Sequence, residues 1–116
     1  MNNKLEKTSK PWGRYEVIDQ GPKFKVKRIT VNKESQLSLQ KHQHRSEHWI
    51  IVNGEAEIIL GNNKLTLREN DTIFIPKGAT HRIKNTSKEK LILIEVQFGS
   101  YLEEDDIERL EDNYGR

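Results

Sequence analysis

Leu37-Ser38-Leu39-Gln40-Lys41-His42-Gln43-His44-Arg45-Ser46-Glu47-His48-Trp49-Ile50-Ile51-Val52-Asn53-Gly54 is the stretch whose reading decides the fold. Leu37 to His42 alternates apolar with polar residues, as a strand with one buried face does, because successive side chains point to opposite sides. Ser38, Gln40 and His42 therefore share one face, with His44 next in that series. Trp49-Ile50-Ile51-Val52 is a continuous apolar run stopped by Asn53-Gly54, a strong turn pair.

The same rhythm extends in both directions. Upstream, Lys10-Pro11-Trp12-Gly13 reads as an extended segment entering a turn, since proline biases the residue before it away from helix. Phe24, Val26 and Arg28 alternate with Lys25 and Lys27 before Ile29 and Val31 switch parity, which predicts a bulge. Downstream, Glu57–Leu60 and Lys64–Leu67 flank Gly61-Asn62-Asn63 as a hairpin. Thr72–Ile75 stops at Pro76, which cannot donate to a ladder, and Leu91–Phe98 is the last strong strand. Short strands at roughly 8–12-residue spacing predict an all-β sandwich or closed barrel. Residues 1–10 read as a flexible polar arm and 11–116 as a single domain. Ile107, Leu110 and Tyr114 recur at helical spacing and predict a short C-terminal helix.

With 116 residues there is room for one core. Hydrophobic and charged residues each make up 33 %, a polarity that suits strands buried on one side only. A net charge of +2 makes no case for nucleic acid. Residues 103–116 hold seven acids against Arg109 and Arg116, so the tail carries −5 and the rest of the chain +7. A basic body suits an anionic small molecule, which the tail repels unless it folds away. There is no cysteine for disulfides or thiolate ligation. Met1–Lys10 has three lysines and a lone Leu5, unlike a signal segment, and no run reaches membrane-spanning length. A cytoplasmic protein touching neither nucleic acid nor membrane is expected.

Chemistry enters through Gln40-x-His42-x4-Glu47-x6-Gly54 and Pro76-x-Gly78-x2-His81-x3-Asn85. Gln40, His42, Glu47 and His81 offer an amide oxygen, two imidazoles and a carboxylate, able to hold one divalent cation with positions left open. Such donors suit Zn, Mn, Fe, Co or Ni without choosing among them. An exposed polar strand is the alternative, and it suits an isolated His-x-His. Two matched elements about forty residues apart favour the metal site.

These elements resemble the paired motifs of the cupin superfamily, G-x5-H-x-H-x3/4-E-x6-G and G-x5-P-x-G-x2-H-x3-N. Glu34 and Asn70 stand where the leading glycines would be, and Gln40 where the first histidine would be. A closer resemblance covers nearly the whole chain. Lys10-Pro11-Trp12-Gly13, Phe24–Ile29, Leu37–Gln40, His42-x-His44-Arg45-x-Glu47-His48-Trp49 and Gly99-Ser100-Tyr101-Leu102-x-Glu104-Asp105-Asp106-Ile107 are similar to the type II mannose-6-phosphate isomerase domain. The resemblance implies a cupin double-stranded β-helix, a jelly-roll barrel. In that family the domain usually ends a bifunctional enzyme that begins with mannose-1-phosphate guanylyltransferase. No Gly-rich phosphate loop is present here, so a freestanding isomerase domain without guanylyltransferase activity is expected.

By the same resemblance, the substrate is a sugar phosphate, and mannose 6-phosphate and fructose 6-phosphate interconvert through an enediol. A metal supplies the Lewis acid, and histidine is the default base near neutral pH. His44 is the first candidate base and His48 the second, a plain surface or structural histidine being the alternative for each. Arg45 is the leading phosphate ligand, with Lys41, Lys77, Arg82 and Lys84 as nearby alternatives. Trp12 and Trp49 are assigned to the core rather than to sugar stacking. A homodimer is expected, because small cupins often pack edge strands. Two other functions stay open: a non-catalytic sugar-phosphate-binding accessory to a separate guanylyltransferase, and a cupin acting on another sugar or nucleotide-sugar.

Overall fold

The structure is a computed structural model and describes residues 6–111. Eleven strands run β1 (Lys7–Lys10), β2 (Gly13–Gln20), β3 (Phe24–Val31), β4 (Leu39–Lys41), β5 (Arg45–Asn53), β6 (Ala56–Leu60), β7 (Asn63–Leu67), β8 (Thr72–Ile75), β9 (His81–Asn85), β10 (Leu91–Gly99) and β11 (Glu108–Glu111). They form two antiparallel sheets, β1-β2-β3-β10-β5-β8 and β11-β4-β9-β6-β7. The chain crosses from sheet to sheet after β3, β4, β5, β7, β8, β9 and β10, which winds it into a jelly roll with the core between the sheets.

The central strands of the larger sheet change character along their length. Leu93 pairs with Ile29 and Ile51 at one level, all buried. Glu95 pairs with Lys27 and Trp49 at the next, and Gln97 with Lys25 and Glu47 beyond it. One end of the barrel is thus apolar, filled by Val31, Ile51, Ile58, Ile83, Leu91 and Leu93, and the other is lined with buried charge. Trp12 and Trp49 belong to the core as expected.

Three expectations change. The β3 ladder to β10 is unbroken, and its inward face is Lys25, Lys27, Ile29 and Val31 throughout. Parity never switches there; the irregularity lies on the partner strand, between Val17 and Asp19 of β2. Residues 7–10 of the expected arm pair with β2 as an edge strand. The expected C-terminal helix is absent among the described residues, because residues 108–111 form β11 along β4. So short an amphipathic segment cannot nucleate a helix alone, and the open edge of β4 offers its backbone ready-made partners. Tyr114 lies outside the described residues. The acidic segment folds onto the basic body through Lys27–Glu104, Lys41–Glu108 and Arg82–Glu111 contacts of 2.7, 3.6 and 3.2 Å.

Candidate metal centre

Local chain rules bring the donors together. β4 carries Gln40 in register with His81, the first residue of β9. The Pro76–Gly78 turn is tied to the neighbouring segment by the Gly78 amide, which donates to the His42 carbonyl at 2.8 Å. Gly78 has φ 77°, a left-handed conformation that glycine adopts without penalty. Glu47 and Trp49 project inward from β5. Asn85, the last motif residue, is no ligand: its amide donates to the Val31, Asn32 and Glu89 carbonyls and staples the apolar end.

His42, Glu47 and His81 are all buried, with one donor atom from each within 4.8 Å of the others. His42 Nε2 lies 3.4 Å from Glu47 Oε2, and His81 Nε2 lies 3.8 Å from Glu47 Oε1. Each ring is anchored at Nδ1 by a backbone carbonyl, His42 by Asp106 at 2.6 Å and His81 by Ala79 at 3.0 Å. A carbonyl only accepts, so Nδ1 carries the hydrogen and Nε2 keeps its lone pair toward Glu47, the tautomer a metal ligand needs. Burial, then the Arg45 charge, lowers His42 to about 4, and burial lowers His81 as well. Both rings are neutral near pH 7. Gln40 lines the same cavity, and its Nε2 donates to Ser38 O and Oγ, which leaves the amide oxygen as its coordinating end. The donor set fits a divalent cation.

The cavity has about 820 Å³ of open space, its mouth included. Lys10, Lys27, Arg45, Arg82 and Arg109 line it against Glu47, Glu95 and Glu104, an excess of cations that favours an anionic ligand. Arg45 is not at the rim. It is buried, its Nε 2.8 Å from Glu47 Oε2 and its Nη2 3.2 Å from His42 Nε2. Arg82 reaches the lining while bonded to the Leu37 carbonyl and Glu111. Lys41, Lys77 and Lys84 stand outside the lining.

Neither candidate base reaches the cavity. His44 is exposed and meets Tyr101 edge-on, because the chain leaves strand conformation after Lys41 and alternation fails there. The Asp106 carboxylate holds that excursion by accepting from the Gln43 and His44 amides at 2.9 and 3.0 Å. Against the cost of burial, those bonds keep its pKa below the usual range. His48 lies on the outer face of the larger sheet against Phe74.

Five charged cavity residues escaped the sequence reading: Lys10, Lys27, Glu95, Glu104 and Arg109. Glu95 accepts from Trp49 Nε1, shared at 3.1 Å with Glu47, and from Gln97 Nε2 at 2.8 Å. Burial, then the Glu47 charge, raises its carboxyl to about 7 against the pull of Lys27 and Arg45. Polar residues at alternate positions inside otherwise apolar strands were the available signal, since such residues face inward only with partners.

Known proteins resemble this chain in sequence and in fold. The family described as mannose-6-phosphate isomerase C-terminal matches residues 2–112. The xanthan biosynthesis protein XanB of Xanthomonas campestris is 58 % identical over 95 % of the chain, and the mannose-1-phosphate guanylyltransferase ManC of Salmonella typhimurium 52 % over 92 %. The chain spans only 24 % and 22 % of those relatives. Among solved structures, capsular polysaccharide assembling protein CapF of Staphylococcus aureus superposes with TM-score 0.81 at 17 % identity, over 93 % of this chain and 34 % of that one. Lactobacillus farciminis oxalate decarboxylase gives 0.80 at 21 %, over 91 % and 33 %. The fold is the cupin double-stranded β-helix.

Proposed function

Because the chain belongs to the mannose-6-phosphate isomerase C-terminal family, we propose that it interconverts mannose 6-phosphate and fructose 6-phosphate at the His42–Glu47–His81 centre. The convergence of two neutral imidazoles on one buried carboxylate carries this reading. Held there with Gln40, a divalent cation would supply Lewis-acid polarisation of the sugar carbonyl.

The chain's own residues do the rest. The apolar wall of Trp12, Ile29 and Leu93 excludes water from the open-chain sugar. Lys27 attracts the phosphate, and Lys10 and Arg82 add positive charge to the lining. Arg45, expected to grip the phosphate, is bonded inside the donor set instead. Glu95 moves the proton between C2 of the aldose and C1 of the ketose, because it is the lining carboxyl outside the donor set that holds neutral donors rather than a cation. The name of the xanthan biosynthesis relative suggests a place in polysaccharide synthesis, and the homodimer belongs to the same proposal.

A coupled assay for fructose 6-phosphate, with protein reconstituted in turn with Zn, Mn, Fe, Co and Ni, tests the reading. No product above a chelator-treated control with any metal would reject it. A second reading, sugar-phosphate binding without turnover, is favoured by the displacement of His44 and His48 from the cavity. Calorimetric binding of mannose 6-phosphate by protein inactive in the assay would select it.

A further inference from the structure

Arg45 engages donors that a metal would need. Its Nε donates to Glu47 Oε2 at 2.8 Å and its Nη2 to His42 Nε2 at 3.2 Å, two of the three donors of the candidate centre. His42 has one lone pair left, on Nε2, because its Nδ1–H is spent on the Asp106 carbonyl. That lone pair serves the guanidinium or a cation, never both. The third guanidinium nitrogen, Nη1, is buried without a hydrogen-bond partner, so this placement leaves Arg45 incompletely satisfied. The cavity beside it carries more cations than carboxylates, which suits an anion from outside.

We propose that Arg45 is a displaceable internal cation: it and a divalent metal compete for His42 Nε2 and Glu47 Oε2, and metal loading frees its guanidinium for an anionic ligand in the cavity. The inference rests on the reading of His42, Glu47 and His81 as a metal centre. It makes metal and anion binding mutually reinforcing, since a coupling between two sites works equally in both directions. Without metal, Arg45 neutralises buried Glu47, whose lone charge would otherwise be costly. With metal, that duty passes to the cation, and the fork of the guanidinium matches a phosphate. The residue expected to grip phosphate would then do so only in the loaded protein.

Isothermal titration of chelator-treated protein with Zn(II) tests the competition without any assay of activity. Arg45→Met is expected to bind at least tenfold tighter than wild type. Lys27→Met removes a cavity cation that touches no donor, and is expected to gain less than threefold. Equal gains would reduce the effect to general field and overturn the proposal, as would equal or weaker binding by folded Arg45→Met. Zn(II) binding to neither wild type nor Arg45→Met would instead reject the metal centre itself. If Arg45→Met does not fold, nitrogen-15 NMR of wild type decides: Zn(II) should move the Arg45 Nε–H signal, and a signal unmoved at saturation overturns the idea. Inorganic phosphate should bind wild type at least fivefold tighter with Zn(II) than without, and Arg45→Met should lose that difference.

Discussion

His42 is anchored from 64 residues away: its Nδ1 lies 2.6 Å from the backbone carbonyl of Asp106. The same residue's carboxylate accepts from the amides of Gln43 and His44. One C-terminal residue therefore sets the ring orientation of a donor and the path of the chain that follows it. The acidic tail belongs to the site's architecture.

Asp106→Ala is accordingly expected to weaken metal binding by about 10- to 100-fold, the usual effect of losing a partner that orients a ligand. Asp106→Asn keeps an amide oxygen that accepts one of the two amides and should lose less. Titration with Zn(II) measures both, and an unchanged affinity in Asp106→Ala would show that the carbonyl holds His42 without help from the side chain.

The two departures from the motif glycines have a conformational reading. Glu34 and Asn70 are the non-glycine residues with positive φ among those described, at 60° and 75°. The left-handed region costs an ordinary side chain about 1–2 kcal/mol, part of which glycine returns as unfolded-chain entropy. Glu34→Gly should therefore stabilise the fold by on the order of 0.5–1 kcal/mol, and Asn70→Gly by less, because asparagine tolerates this region. Urea unfolding midpoints report the difference. A lower midpoint for Glu34→Gly would remove the strain argument.

Strand positions, the Pro76 stop and the pairing of the two motifs were legible because each rests on local pattern. The inward face of β3 was not. Phe24 and Val26 look like core residues, yet they face outward beside Val96 and Phe98, while Lys25 and Lys27 turn in. Lys25 finds the Leu102 carbonyl and Lys27 the Glu104 carboxylate, each 77 residues along the chain. Partners that distant leave no trace in a local pattern. His44 failed for the opposite reason: it lies three residues past the end of β4, beyond strand alternation, in an excursion that Asp106 holds.

Glu16 gives a pH dependence away from the site. Its side chain is buried between Arg14 and Arg28, at 3.0 and 2.9 Å. Burial alone would raise its pKa, but the bonds and charges of the two arginines outweigh that and hold it below the ordinary 4.5. A carboxylate depressed on folding stabilises the protein above its unfolded pKa, and that contribution is lost as pH falls through the folded value. Glu16→Gln should therefore be less stable than wild type at pH 7, the gap closing as pH drops below 4.5. Urea unfolding of both proteins from pH 7 downward tests this, and a gap that held constant would refute it.

Lys27 and Lys84 separate cavity from surface. Lys27 is buried in the lining and Lys84 is exposed outside it. Lys27→Met should weaken mannose 6-phosphate binding by about tenfold or more, since hydrogen bonds to charged groups contribute roughly 1.5–3 kcal/mol. Lys84→Met should change it less than twofold. Equal effects, read by calorimetry, would place the phosphate elsewhere.

The sharpest division lies between Glu95 and the two histidines. Glu95 lines the cavity and shares the Trp49 indole N–H with Glu47, whereas His44 and His48 lie outside. A proton moving between adjacent sugar carbons needs a base within hydrogen-bond reach, and a positioned base contributes about 10²–10⁴-fold to rate. Glu95→Gln preserves shape and the Trp49 contact region while removing the base, so turnover should fall by about that factor. Zn(II) affinity should move far less, because Glu95 is not a donor. His44→Ala and His48→Ala should keep turnover within about threefold, as surface changes do. Solvent deuterium entering C2 of recovered mannose 6-phosphate follows the same step directly and should slow in parallel with turnover in Glu95→Gln. Full exchange in that variant, or its loss in His44→Ala, would return the base to the histidine and require the excursion after β4 to close over the bound sugar.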